Sequence, residues 1–232
     1  MAGLHCDRQL WLLVNRPGGK RDHTLVVQRR MEFGIEFGRN VTRLFPGGVE
    51  ITADYRHPQD ALDATASLLQ GDTPVIFEAA FLHHEVLIRA DIMKRSASVP
   101  GAWDLIEVKS ASNGESGRKA KLKKHVSDMA VQLYVLEGAG ITVASSSLAW
   151  VNSDYERMGE LDWNQLVVFE DHTEVVRLRA AEVGDELDES LAMISRPGIW
   201  DVYFTHVRLG QMDERILKIE DALGRRMRNP IV

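Results

Sequence analysis

Glu78, Asp91, Glu107 and Lys109 stand in the stretch VIFEAAFLHHEVLIRADIMKRSASVPGAWDLIEVKS, residues 75–110, whose strand-like runs are otherwise largely apolar. Three apolar runs lie here, Val75 to Phe81, Val86 to Met93 and Trp103 to Val108, separated by polar or Gly/Pro turn signals. That pattern predicts three consecutive antiparallel strands. Side chains on a strand alternate, so Glu107 and Lys109 share one face while Ile106 and Val108 take the other. A carboxylate and an amine flanked by apolar residues are costly to bury without partners. A carboxylate cluster that binds a divalent metal, with a lysine beside it, removes that cost and gives the lysine a task.

The flanking segments supply the elements that would position these groups. Residues 24 to 44 form a helical stretch with Leu25, Met31, Phe33, Ile35, Phe37, Val41 and Leu44 as its apolar content. LFPGGVEI reads as a helix stop, a turn and a short strand. His57-Pro58 opens a helix over Gln59 to Leu69, with proline in the first turn. Downstream of the strands, residues 111 to 125 break the apolar pattern and read as a mobile basic loop. Ser127 caps a helix that Gly138 and Gly140 end. Ile141 to Val151 is a further strand. Asp162 to Ala192 is charged and largely helical, with a break at Gly184-Asp185. Pro197-Gly198 marks a boundary, giving a domain over 1–197 and an extension over 198–232.

Asp91 followed by Glu107-Val108-Lys109 resembles the D…(E/D)-x-K signature of PD-(D/E)XK nucleases. The segments RADIM…WDLIEVKS and DMAVQLYVLEGAG, with LFPGG and FEAAF upstream, resemble the RecB-like exonuclease branch. That branch includes the CRISPR-adaptation nuclease and the AddB nuclease domain. The resemblance runs from Cys6 to Asp154, and on toward Pro197. It implies an α/β fold with a restriction-endonuclease-like core of helix, three antiparallel strands, helix and strand, carrying helical N- and C-terminal additions.

The resemblance also implies a site. Asp91, Glu107 and the main-chain carbonyl of Val108 would hold Mg²⁺ or Mn²⁺, which takes hard oxygen ligands and leaves positions to water and phosphate. The ion would activate water and polarise the scissile phosphate. Lys109 would orient that water or stabilise developing charge. Glu36, in FGIEFG, falls where the family carries an acidic residue or histidine that completes the metal site. Glu78 falls at a regularly acidic position and is a metal ligand or its neighbour, or else pairs with Arg89 across the hairpin. Gln132 matches the Gln of a Q-x-x-x-Y motif, while Leu136 stands where that motif has Tyr. HCDRQLWL is similar to the Cys-x-x-x-x-Trp segment of iron–sulfur members. Cys6 is the only cysteine, and a four-iron cluster takes four thiolates, so no cluster is expected.

Composition bounds the partners. At 232 residues, 44% hydrophobic and 27% charged, the chain suits one sizeable globular domain with an extension. No apolar run spans a bilayer, the start does not read as a secretory signal, and a single cysteine fits a reducing cytoplasm. The net charge of −6 argues against a general polyanion binder. Arg118, Lys119, Lys121, Lys123 and Lys124 nonetheless form a local basic run that would grip a nucleic-acid backbone beside the metal site.

The expected function is therefore hydrolysis of phosphodiester bonds in DNA, single-stranded or at ends, by a Mg²⁺- or Mn²⁺-dependent nuclease. The alternative is a catalytically inactive nucleic-acid-binding or assembly module of the same fold; a third reading is a hydrolase of small phosphate esters. The extension, with Trp200, Tyr203 and Phe204, would pack by burial or serve as a contact for a second copy or another protein.

Overall fold

The computed structural model describes residue 11 and residues 24–53, 57–112 and 118–194, the side chains of Ser112 and Arg118 excepted. Cys6, the basic loop's first residues, Pro197-Gly198 and the aromatic tail lie outside the described residues. Contacts divide the chain into a unit of Arg21–Glu186 and a second of Met1–Lys20 with Leu187–Val232. The first unit carries every element that bears on the candidate site.

That unit is mixed α/β. In chain order it holds α1 (Leu25–Thr42), β1 (Val49–Glu50), α2 (Pro58–Gln70), β2 (Val75–His83), β3 (Val86–Arg95) and β4 (Trp103–Ser112). Then follow α3 (Arg118–Gly138), β5 (Val143–Val151), α4 (Trp163–Leu166), β6 (Val167–Asp171) and α5 (Thr173–Ile194), whose last residues belong to the second unit. The strands form one sheet in sequence order, β1 to β6. The β2–β3, β3–β4 and β5–β6 pairs are antiparallel; β1–β2 and β4–β5 are parallel. A parallel neighbour needs a crossover, and α2 and α3 supply the two that this order requires.

Local sequence accounts for the element ends. Thr24 caps α1, its hydroxyl accepting from Val27 N at 3.4 Å. Pro58 opens α2. β2 and β3 are joined through His84 and Glu85, with φ of 48° and 60°, the two-residue geometry that matches strand twist. Helix α3 closes with Gly140 at φ 83°, while Ile141 N donates to Leu136 O at 2.9 Å and Gly140 N to Glu137 O at 3.0 Å. This is the Schellman arrangement, which satisfies two carbonyls left over at the helix end.

The sheet is covered on both faces. Phe37 and Val41 of α1 pack with Val75, Phe77, Ile92, Ile106 and Ala149, and Val108 joins them. Residues at odd positions from these point the other way. There α3 lies, its Gln132 reaching Glu107 and its Met129, Leu133 and Leu136 buried.

Four sequence expectations change. Helix α3 begins at Arg118, so the basic run is the helix's first turns and not a loop. Lys, Arg, Ala and Leu are good helix formers, and Ser127 is a buried interior residue of the helix instead of its cap. The stretch 162–192 contains a strand, β6, because Val167, Val168 and Phe169 pair with the β5 edge. Helix α5 runs unbroken through Gly184, where an added Cβ would meet the Tyr134 ring at 3.3 Å; the glycine serves close packing and does not end the helix.

Candidate active site

The β3–β4 ladder ends at the pair Ile92–Ile106. The next residues toward the open end are Asp91 and Glu107. Instead of continuing the ladder, Asp91 Oδ2 accepts the backbone N–H of Val108 at 2.7 Å. This bond ties Asp91 to the residue between Glu107 and Lys109. All three charged side chains then lie on the α3 face, because Ile92, Ile106 and Val108 take the α1 face.

Glu107 is buried, with 4% of its surface exposed. Both of its oxygens have protein partners. Oε1 pairs with the Lys109 ammonium, and Oε2 accepts from Gln132 Nε2 at 2.6 Å. Gln132 is itself buried. The expected convergence of Asp91, Glu107, Lys109 and Gln132 is thus present, with Val108 joined through its N–H.

Glu78 stands opposite Asp91, at the position where the β2–β3 ladder is interrupted between Phe77–Ile92 and Ala79–Ala90. Its φ is 55°, a left-handed conformation that costs a side-chain-bearing residue energy and recurs at functional sites. The register is the same on both sides of this position, so the kink inserts no extra residue into the strand. Arg89 is near enough to stabilise the Glu78 charge, and Arg89 Nη2 also donates to Ala53 O at 2.5 Å.

Glu36 is not brought to this group. Phe37 and Val41 turn α1 onto the opposite face of the sheet, and Glu36 is exposed on the helix. Tyr134 likewise points elsewhere, its hydroxyl 3.1 Å from His84 Nδ1, and Leu136 is buried in the core. Position 136 therefore adds packing and no polar contact to the site. Lys119, Lys123 and Lys124 are exposed and Lys121 is half-buried on the first turns of α3.

The electrostatics are those of crowded acids. Burial, then the Glu107 charge, pushes the Asp91 carboxyl up to about 8 against the opposing pull of Lys109 and the Val108 N–H. Burial also raises Glu78, with Glu50 and Glu107 adding to it and Arg89 opposing. For Lys109, burial works against the charge, but Glu107, Asp91 and Asp128 outweigh it and hold the amine above its ordinary value. His125 is lowered by burial and by Lys109.

Among the described residues no three His, Cys, Asp or Glu side chains converge as a ready metal cage. What converges is a pair of carboxylates. Mg²⁺ and Mn²⁺ are commonly held by one or two carboxylates, with water and substrate phosphate filling the rest. A buried acid kept protonated by a neighbouring acid is also the state that a bound cation would reverse. The oxygen donors of Asp91 and Glu107 fit such an ion.

Sequence reasoning assigned no role to His125 or Asp128. The α3 spacing 125, 128, 132 places both on the side that carries Gln132, which is the signal that could have found them. No protein-family model matches the chain, and no curated protein is similar to it.

Proposed function

We propose that this protein is a Mg²⁺- or Mn²⁺-dependent nuclease with a restriction-endonuclease-like core that hydrolyses phosphodiester bonds in DNA. The observation that carries this reading is the hydrogen bond from Val108 N to Asp91, which joins Asp91 to the Glu107–Lys109 pair at the end of the β3–β4 ladder. The order of helix, three antiparallel strands, helix and parallel strand supports the same core.

Asp91 and Glu107, with the Val108 carbonyl, would hold the ion, which when bound supplies Lewis-acid polarisation of the phosphate. Lys109 places a positive charge beside the carboxylates, where charge develops on a phosphoryl oxygen. Gln132 fixes Glu107 from the helix side. The lysines on the first turns of α3 offer cations to the backbone of a polymer, and the positive end of the helix adds to them. Those lysines favour a nucleic acid over a small phosphate ester.

One observation favours the second reading, a non-catalytic nucleic-acid-binding module. Both Glu107 oxygens already have protein donors, Lys109 and Gln132. Cleavage of end-labelled single- and double-stranded DNA, and of RNA, in Mn²⁺, Mg²⁺ or EDTA separates the two. Metal-dependent cleavage that disappears in Asp91→Ala and Lys109→Ala is the expected result. Wild-type protein that is folded, binds no metal by calorimetry and cleaves none of these substrates would overturn it.

A further inference from the structure

Helix α3 carries three buried polar atoms that meet no partner among the described residues: His125 Nδ1, Asp128 Oδ1 and Gln132 Oε1. Their spacing puts them on one side of the helix. That side faces the carboxylate site. Gln132, 5% exposed, donates its other amide atom to Glu107 at 2.6 Å. Asp128 lies close enough to Lys109 to help hold its charge. His125 is in the field of Lys109, Asp128 and Glu107, and its ring meets Trp150 edge-on at 6.4 Å. Trp150 in turn pairs with Lys109 across β4 and β5.

A buried polar atom without a partner costs free energy comparable to a lost hydrogen bond. Three on one helix side call for a common ligand. Two are oxygens that accept, and the third is a ring nitrogen. Acceptors arranged beside an ammonium group suit a small neutral donor. A water molecule meets this: it offers two hydrogens to the two oxygens and keeps its own oxygen for a donor.

We propose that Asp128 and Gln132 hold one water molecule beside Lys109, with His125 closing the station. This water is the one consumed in phosphodiester hydrolysis: its oxygen bonds to phosphorus as one ester P–O bond breaks, the proton it loses passes to solvent, and the leaving oxygen takes a proton from solvent. The proposal rests on the nuclease reading for that last step and on the geometry of α3 for the first. Asp128 is then a positioning residue.

The test uses the full chain, with Asp128→Ala and Asp128→Asn. A crystal structure of the wild type should show a water peak within hydrogen-bond distance of Asp128 Oδ1 and Gln132 Oε1. The peak should vanish in Asp128→Ala and persist in Asp128→Asn, whose amide oxygen still accepts. Asp128→Ala should lower kcat about a hundredfold with KM for DNA unchanged, as misplacement of a reacting group does. Asp128→Asn should restore most of the rate. A purely structural Asp128 would instead lower the melting temperature and leave kcat in place. Side chains filling the station with no water between them would overturn the proposal. So would loss of the peak in Asp128→Ala with kcat kept within about twofold, a change too small for lost positioning. If the wild type cleaves nothing, the nuclease reading fails, and with it the water's role in hydrolysis; the peak still decides whether the station exists.

Discussion

The carboxylate of Asp91 accepts the Val108 N–H at 2.7 Å, one residue beyond the last β3–β4 pair, Ile92 with Ile106. A side chain therefore does what the next backbone pair would have done. The strands separate there, yet Val108 keeps its hydrogen bond. The same bond fixes the direction of the Asp91 carboxylate toward Glu107. Structure and chemistry thus share one contact, and substitutions at Asp91 can separate them.

Asp91→Asn keeps an oxygen that can accept from Val108 and removes the charge that burial and Glu107 oppose. In EDTA the variant should melt at or above the wild-type temperature. Metal-dependent cleavage should fall by at least about a hundredfold, the scale of losing a preorganised electrostatic contact. A variant that melts well below wild type would mean that the Asp91 charge stabilises the fold, against the crowding inferred here.

The pH dependence of stability follows from the same group. The folded carboxyl is pushed up to about 8, whereas an unfolded aspartate titrates near about 4. Between these values the folded protein holds a proton that the unfolded chain has released. Stability of the metal-free protein should therefore fall as pH rises from about 4 to about 8, and this contribution should level off above that. Mg²⁺ should flatten the fall by replacing the proton. Urea denaturation in EDTA and in Mg²⁺ at several pH values measures both, and Asp91→Asn should lack the slope. A wild-type slope that survives in Asp91→Asn would assign it to another group.

The three central strands were legible because apolar runs bounded by turn signals specify strands locally. Alternation on β4 put Glu107 and Lys109 on one face, whereas the expectation that Asp91 and Gln132 join them rested on the resemblance to the D…(E/D)-x-K and Q-x-x-x-Y patterns. Other features depended on partners distant in sequence. β6 is five residues within a charged segment, and β5 is what makes it a strand. The start of α3 was hidden because its first turns lack an apolar stripe, so periodicity began only near Val126. The φ of 55° at Glu78 has no local signature, since nothing in FEAAF demands a left-handed residue. Glu36 illustrates the limit of matching a position: its neighbours Phe37 and Val41 decide which side of α1 faces the sheet.

Gly48 is the close approach on which the β1–β2 edge depends. A Cβ there would lie 2.3 and 2.4 Å from two atoms of the Phe77 ring. Phe77 is buried in the α1-side core and meets Phe45 edge-on, so the ring has little room to yield. Gly48→Ala should destabilise the protein by about 1–3 kcal/mol, the range for overpacking. Gly48→Ala with Phe77→Leu should cost less than the sum of the two single changes, as expected for neighbours that share one clash. Denaturant melts of the four proteins give the coupling, and strict additivity would place the strain elsewhere.

The exposed lysines of α3 carry the last prediction. Lys119 and Lys123 are one turn apart on the helix that follows β4. If they contact phosphates, Lys119→Glu with Lys123→Glu should weaken DNA binding at least tenfold. The slope of log affinity against log salt should become shallower by about two, near 0.9 for each phosphate contact on duplex DNA. The fold should survive, because acidic residues in the first turns of a helix suit its dipole. kcat at saturating DNA should stay near wild type, since neither lysine touches Glu107 or Lys109. An unchanged salt slope with normal binding would show that DNA takes another path across the protein, and would leave the carboxylate site to be tested with short substrates.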